Sequence, residues 1–152
     1  VNKIRIFKKI RGSALLLAAL SLSACSVPEP LREPPELSAV AGGGSGSEVD
    51  VPTELSTYNW GGEMTYGGPW EAMADEEAVP VPAGSKISLS FAPEAPDEIR
   101  VRLMTGSSQF KEIESAEGSF DLPDQPGEYV YGINGKWMEG SALYALKVRV
   151  RD

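Results

Sequence analysis

The chain has 152 residues, with 14 basic and 22 acidic side chains, one cysteine and no histidine. Without histidine no Ser-His-Asp or Cys-His catalytic group can form, and one cysteine permits neither an internal disulfide nor a paired-cysteine metal or redox site. The length suits about one domain, and a formal charge of -8 offers no basic footprint for nucleic acid.

The charge is unevenly placed. Lys3, Arg5, Lys8, Lys9 and Arg11 carry five of the 14 basic residues, with no acid among them. Residues 13–24 (SALLLAALSLSA) are then apolar or small, and Cys25 follows. A cationic start, an apolar run of roughly 7–15 residues and a small-residue stop make a secretory signal peptide. The run is too short for a membrane-spanning helix, which needs about 20 apolar residues.

The stop at Leu22-Ser23-Ala24-Cys25 resembles the lipobox of bacterial lipoproteins. That resemblance implies cleavage between Ala24 and Cys25. It also implies a diacylglycerol on the Cys25 thiol, acyl chains such as palmitate in the bilayer, and an address on the extracytoplasmic face of the cell membrane. Each buried CH2 is worth about 0.8 kcal/mol, and two chains hold where one is marginal. No other cofactor is expected. With five bases removed, nine bases and 22 acids remain, a charge near -13. Such a body is repelled by anionic headgroups and is held to the membrane by lipid alone.

Residues 25–52 read as the lipidated cysteine and a tether. Pro28, Pro30, Pro34 and Pro35 alternate with Glu29, Glu33 and Glu36, and a Gly/Ser run follows at 42–47. The composition predicts a stiff half and then a flexible half, too poor in apolar residues to offset the entropy of ordering. The folded domain is then expected over residues 53–152.

Within it, alternation predicts strands. Residues 86–91 place Ile87, Leu89 and Phe91 on one face, and residues 98–103 do the same with Ile99, Val101 and Leu103. Phe110 and Ile113 mark a further strand, and Phe120 and Leu122 a short one. Residues 128–134 align Tyr129, Tyr131 and Ile133, and residues 142–151 align Tyr144, Leu146, Val148 and Val150. Asn134-Gly135 is a hairpin signal, but a long last strand favours continuing through Lys136-Trp137-Met138, with the turn at Glu139-Gly140. Residues 69–77 are the best helical candidate. One apolar and one charged face predict antiparallel sheets with a solvated side.

Short strands at near-regular spacing predict an all-β, seven-strand, immunoglobulin-like antiparallel β-sandwich. Pro126-Gly127-Glu128-Tyr129-Val130-Tyr131 resembles the start of strand F in that architecture, which implies that Tyr129 bonds back to its corner and Tyr131 points inward. Tyr58 and Trp60, residues 82–85, residues 127–131, Trp137 and Tyr144-Ala145 are also similar to a domain of small lipid-anchored proteins of Gram-positive bacteria.

Chemical motifs are sparse. Asp75-Glu76-Glu77 lacks the spacing of a calcium loop and reads as a solvated acidic loop. Gly61-Gly62 and Gly67-Gly68 lack the lysine and helix of a phosphate loop. With 17 acids beyond Thr53, some carboxylate pair will always sit at a hydrolase-like distance. The aromatic segment Tyr58, Trp60, Tyr66 and Trp70 is the candidate binding surface, although aromatic rings also fill small cores. Trp137 reads as a core or edge residue. The expected function is a non-catalytic binding module at the membrane, with an envelope protein, peptide or glycan as partner and no nucleic acid. A cell-wall glycan hydrolase, or an accessory of an envelope transporter or sensor, is the alternative.

Overall fold

The computed structural model describes residues 29–43 and 46–152. The expected signal peptide, residues 1–24, and the expected cleavage and lipidation site at Ala24 and Cys25 lie outside them. The chain order is β1 (Glu36–Gly42), β2 (Val49–Val51), β3 (Thr53–Trp60), β4 (Glu63–Met64), α1 (Pro69–Ala72), β5 (Val79–Pro82), β6 (Lys86–Ala92), β7 (Glu98–Met104), β8 (Phe110–Ile113), β9 (Ser119–Asp121), β10 (Gly127–Lys136) and β11 (Gly140–Arg151). No helix among the described residues is long and apolar enough to cross a membrane.

Two sheets form an immunoglobulin-like sandwich, with more strands among the described residues than the seven expected and with β5 joining in parallel. The small sheet runs β2-β1-β6-β9 and the large one β4-β3-β11-β10-β7-β8. All pairings on these paths are antiparallel. The long strand β11 changes partner along one edge. Its first half pairs with β3 through a bulge at Leu143/Tyr144, and its second half takes β5 in parallel.

Alternation decides which side chains meet between the sheets. Ile87 and Phe120 from the small sheet face Val101, Tyr131, Ile133, Leu146 and Val148 from the large one, all at most 2% exposed. Phe120 lies 4.8 Å from the Tyr131 ring. At the other end Trp137 meets the edges of Trp60 and Phe91, each at 5.5 Å, and Phe91 also meets Tyr144 at 5.8 Å. Such edge-on pairs add to simple burial. The Tyr129 hydroxyl donates to the Gln125 carbonyl at 2.9 Å, closing the corner expected before this strand.

The structure corrects four sequence expectations. First, residues 31–43 and 46–52 are not tether. Leu37, Ala39, Ala41 and Val51 are buried in the common core, and β1 pairs with β6 over seven positions. Trp60 Nε1 donates to the Leu31 carbonyl at 3.0 Å, the Leu31 N–H donates to Glu139 Oε1 at 3.2 Å, and the Tyr144 hydroxyl donates to the Pro35 carbonyl. The folded unit therefore begins near Leu31, not at 53.

Second, the outer face of the large sheet is partly covered. Met73, Met104, Val130 and Ala145 form a second small core under α1. Pro69 seats where Gly132 has no side chain, since a Cβ there would come within 2.9 Å of the proline ring. Lys147 Nζ latches the segment by donating to the carbonyls of Met73 and Glu76 at 3.1 and 2.9 Å.

Third, the helix is a single turn, Pro69–Ala72, not 69–77. Pro69 suits its first position, and Asp75, Glu76 and Glu77 stay exposed beyond it. Fourth, β10 runs through Asn134-Gly135, as favoured over a hairpin there, but it ends at Lys136, and Trp137-Met138-Glu139 makes the turn, closed by the Trp137 N–H donating to the Gly140 carbonyl at 2.8 Å. Trp137 leaves the ladder because its ring is drawn into the aromatic core.

Candidate functional site

The four candidate aromatics do not form one surface. Trp60 is 3% exposed and belongs to the core, so its role as a binding residue is corrected. Its indole N–H is already used by Leu31. Tyr58 packs against the same core, with one flank still open to solvent. Trp70 lies in a separate groove of about 520 Å³ between α1 and the sheet, beside Met73, Met104 and Tyr129. Tyr66 is 89% exposed on the segment after β4.

The position of Tyr66 is nevertheless defined. Gly61 and Gly62, with φ of 57° and 88°, turn the chain tightly from β3 into β4, as two residues tolerant of positive φ allow. Thr65 is then fastened to β3. Its N–H donates to the Tyr58 carbonyl at 3.0 Å, its hydroxyl accepts from the Tyr58 N–H at 3.0 Å, and its carbonyl accepts from the Thr57 hydroxyl. A freely exposed ring thus stands on an anchored backbone.

Tyr66 stands at one end of a trough across the outer face of the large sheet. Two open clefts, of about 260 and 620 Å³, lie side by side with Asn59, Asn134 and Ser141 in the lining of both, and together make up the trough. Strand register explains the sharing. One row across the sheet reads Asn59, Ser141, Lys136, Glu98, and the next reads Thr57, Leu143, Asn134, Arg100. These are the outward positions of β3, β11, β10 and β7, opposite the buried set. Tyr58, Met64 and Tyr66 line one end; Arg100, Arg102, Lys136 and Met138 line the other.

Charge is concentrated at the second end. Arg100 Nε donates to Glu98 at 2.6 Å, and that hydrogen bond, with the fields of Glu98 and Glu112, raises its pKa. Arg102 lies with its guanidinium carbon 4.3 Å from the centre of the Phe110 ring. Its Nε is buried and has no acceptor. Among the described residues no carboxylate oxygen comes within 4.0 Å of Arg102 or Lys136. Glu139, the other acid of the lining, receives the Leu31 N–H. Among the described residues no three ligating side chains gather to hold a metal ion.

Sequence reasoning singled out Tyr58 and Tyr66 but missed Asn59, Asn134, Ser141, Arg100, Arg102 and Lys136. The outward alternation of Arg100 and Arg102 was visible, yet it read only as a solvated face. Which strands lie side by side, and therefore which outward residues share a row, is a property of the tertiary pairing. Comparison with family models, with curated proteins and with solved structures gives no match.

Proposed function

We propose that this chain is a lipid-anchored, non-catalytic binding module on the extracytoplasmic face of the membrane, and that its ligand lies in the outer-face trough. The observation that carries the binding reading is the adjacency of the two clefts, which share Asn59, Asn134 and Ser141. It sets amide, hydroxyl and cationic groups along one depression, with an exposed tyrosine at one end. Few convergent polar groups around a concavity are the usual makings of a ligand site.

The anchor reading rests on the cationic start, the apolar run and Leu22-Ser23-Ala24-Cys25. With the folded unit beginning near Leu31, five residues, 26–30, separate it from Cys25. At about 3.3–3.6 Å per residue the connection spans less than about 22 Å, counting both end bonds. The domain is then held close to the headgroups. Leu31 docks on Trp60 and Glu139, so the trough end bearing Met138 and Glu139 is the one nearest the anchor.

Two experiments test this. Cys25→Ala should move the protein from the membrane to the soluble fraction; retention on the membrane sinks the anchor. For the trough, Tyr66→Ala and Asn134→Leu should abolish retention of purified envelope polysaccharide while the near-ultraviolet spectrum of the buried tryptophans stays unchanged. Full retention by both variants would place the binding surface elsewhere.

A further inference from the structure

We infer that the trough takes a carboxylate-bearing oligosaccharide, with separate sugar acids seated at Arg102 and at Lys136 and a neutral ring over Tyr66. This deepens the proposed function and rests on the trough being the binding site.

The charge argument begins with what the acids of this chain do not do. The protein carries 22 acids against 14 bases, yet four cations among the described residues, Arg102, Lys111, Lys136 and Arg151, have no carboxylate within 4.0 Å, and Lys111 and Arg151 lie away from the trough. Lys86, Arg100, Lys147 and Arg149 each have a carboxylate partner. Arg102 and Lys136 have none among the described residues, and both line this one depression. Glu112 is directly opposite Arg102 in the β7–β8 ladder, yet makes no ion pair with it. The guanidinium instead stacks on Phe110 and leaves a buried Nε unsatisfied. A buried donor without an acceptor is costly, and a stacked guanidinium is a planar fork held ready for a carboxylate.

The glycan argument comes from geometry. The trough crosses the faces of β3, β11, β10 and β7, three interstrand spacings or about 14 Å, the length of a short oligosaccharide. It offers side chains only. A peptide seeking main-chain hydrogen bonds would need a free strand edge, and the trough floor has none, because these strands are already paired with one another. Asn59 and Ser141 in one row, with Asn134 in the next, present donors and acceptors suited to a hydroxyl-rich ligand. Tyr66 supplies an amphipathic ring for the apolar face of a sugar. Local cations are required because the surrounding acids, Glu98, Glu112 and Glu139, would otherwise repel an acidic ligand.

The test is titration calorimetry with the whole folded chain, using tetragalacturonate, its fully methyl-esterified form and tetraglutamate. The inference expects the acidic saccharide to bind at least about tenfold more tightly than the ester, with the difference collapsing at high salt. Lys136→Gln, at an exposed site, and Arg102→Gln should each weaken the acidic ligand about tenfold and leave the ester unchanged. Lys136→Gln keeps the test valid if Arg102→Gln misfolds. Equal affinity for acid and ester, with Tyr66→Ala weakening both, would overturn the charged subsite and leave the binding trough standing. Preference for tetraglutamate would overturn the glycan. No binding of any of the three overturns the inference, while retention of envelope polysaccharide would still decide the trough itself.

Discussion

Leu37→Ala gives a direct measure of where the domain begins. If residues 26–52 were a tether, the change would cost nothing. In the structure Leu37 is 7% exposed, sits opposite Phe91 in the β1–β6 ladder, and its carbonyl accepts from the Thr53 hydroxyl at 2.6 Å. The substitution removes three buried carbons and leaves the hydrogen bonds in place. Core Leu→Ala changes cost about 2–5 kcal/mol, and half-buried Phe91 can move to fill part of the space. The lower part of that range, about 2–3 kcal/mol, is expected. At roughly 4 °C per kcal/mol for a unit of this size, Tm should fall by about 8–12 °C. Ser38→Ala, one residue on and exposed, is the control and should stay within about 0.5 kcal/mol. Guanidinium unfolding followed by tryptophan fluorescence reads both, since Trp60 and Trp137 are buried. Coincident midpoints for the two variants would refute β1 as part of the cooperative unit.

Two further predictions test the core. In Gly135→Ala the new Cβ would stand 2.4 Å from the Trp137 ring, which cannot slide because Trp60 and Phe91 flank it and its N–H donates to the Glu94 carbonyl at 3.2 Å. Overpacking of this kind should cost about 1–3 kcal/mol, seen as a lower denaturant midpoint; an unchanged midpoint would mean the ring is free to move. Burial raises the Tyr144 phenol from 10.0 to about 12 and raises Tyr131 further. The unfolded chain ionises first, so this stability is complete below pH 10 and is lost as pH rises from 10 towards 12, by between about 1 and 2 kcal/mol per phenol at pH 11. Tyr144→Phe should flatten that decline in denaturant midpoint; the same slope in both proteins would show that the phenol is not the cause.

The fold was legible where one periodicity sufficed. Residues 86–91, 98–103, 128–134 and 142–151 each alternate cleanly, and β6, β7, β10 and β11 follow them. The Tyr129 corner was legible too, because it is a local contact four residues long. β1 was not, although Leu37, Ala39 and Ala41 alternate with Glu36 and Ser38. Alanine carries too little apolar surface to register as a core residue on its own, and only the pairing of β1 with β6 shows Ala39 and Ala41 buried.

The opening counts therefore decided only part of the story. One cysteine, no histidine and an acidic excess exclude whole classes of chemistry, and the ordered cations, apolar run and Leu22-Ser23-Ala24-Cys25 carry the membrane reading, because these signals are local in the chain. Tertiary pairing alone decided that Trp60 is core, that Tyr66 stands free, and that Asn59, Ser141, Asn134, Arg100, Arg102 and Lys136 line one trough. Those residues come from four strands spread over some 80 positions, and no local pattern says which strands will lie together. Charge obeys the same logic. The net value of -8 is read directly from composition, but only the folded ladders leave two cations unpaired within reach of the same depression.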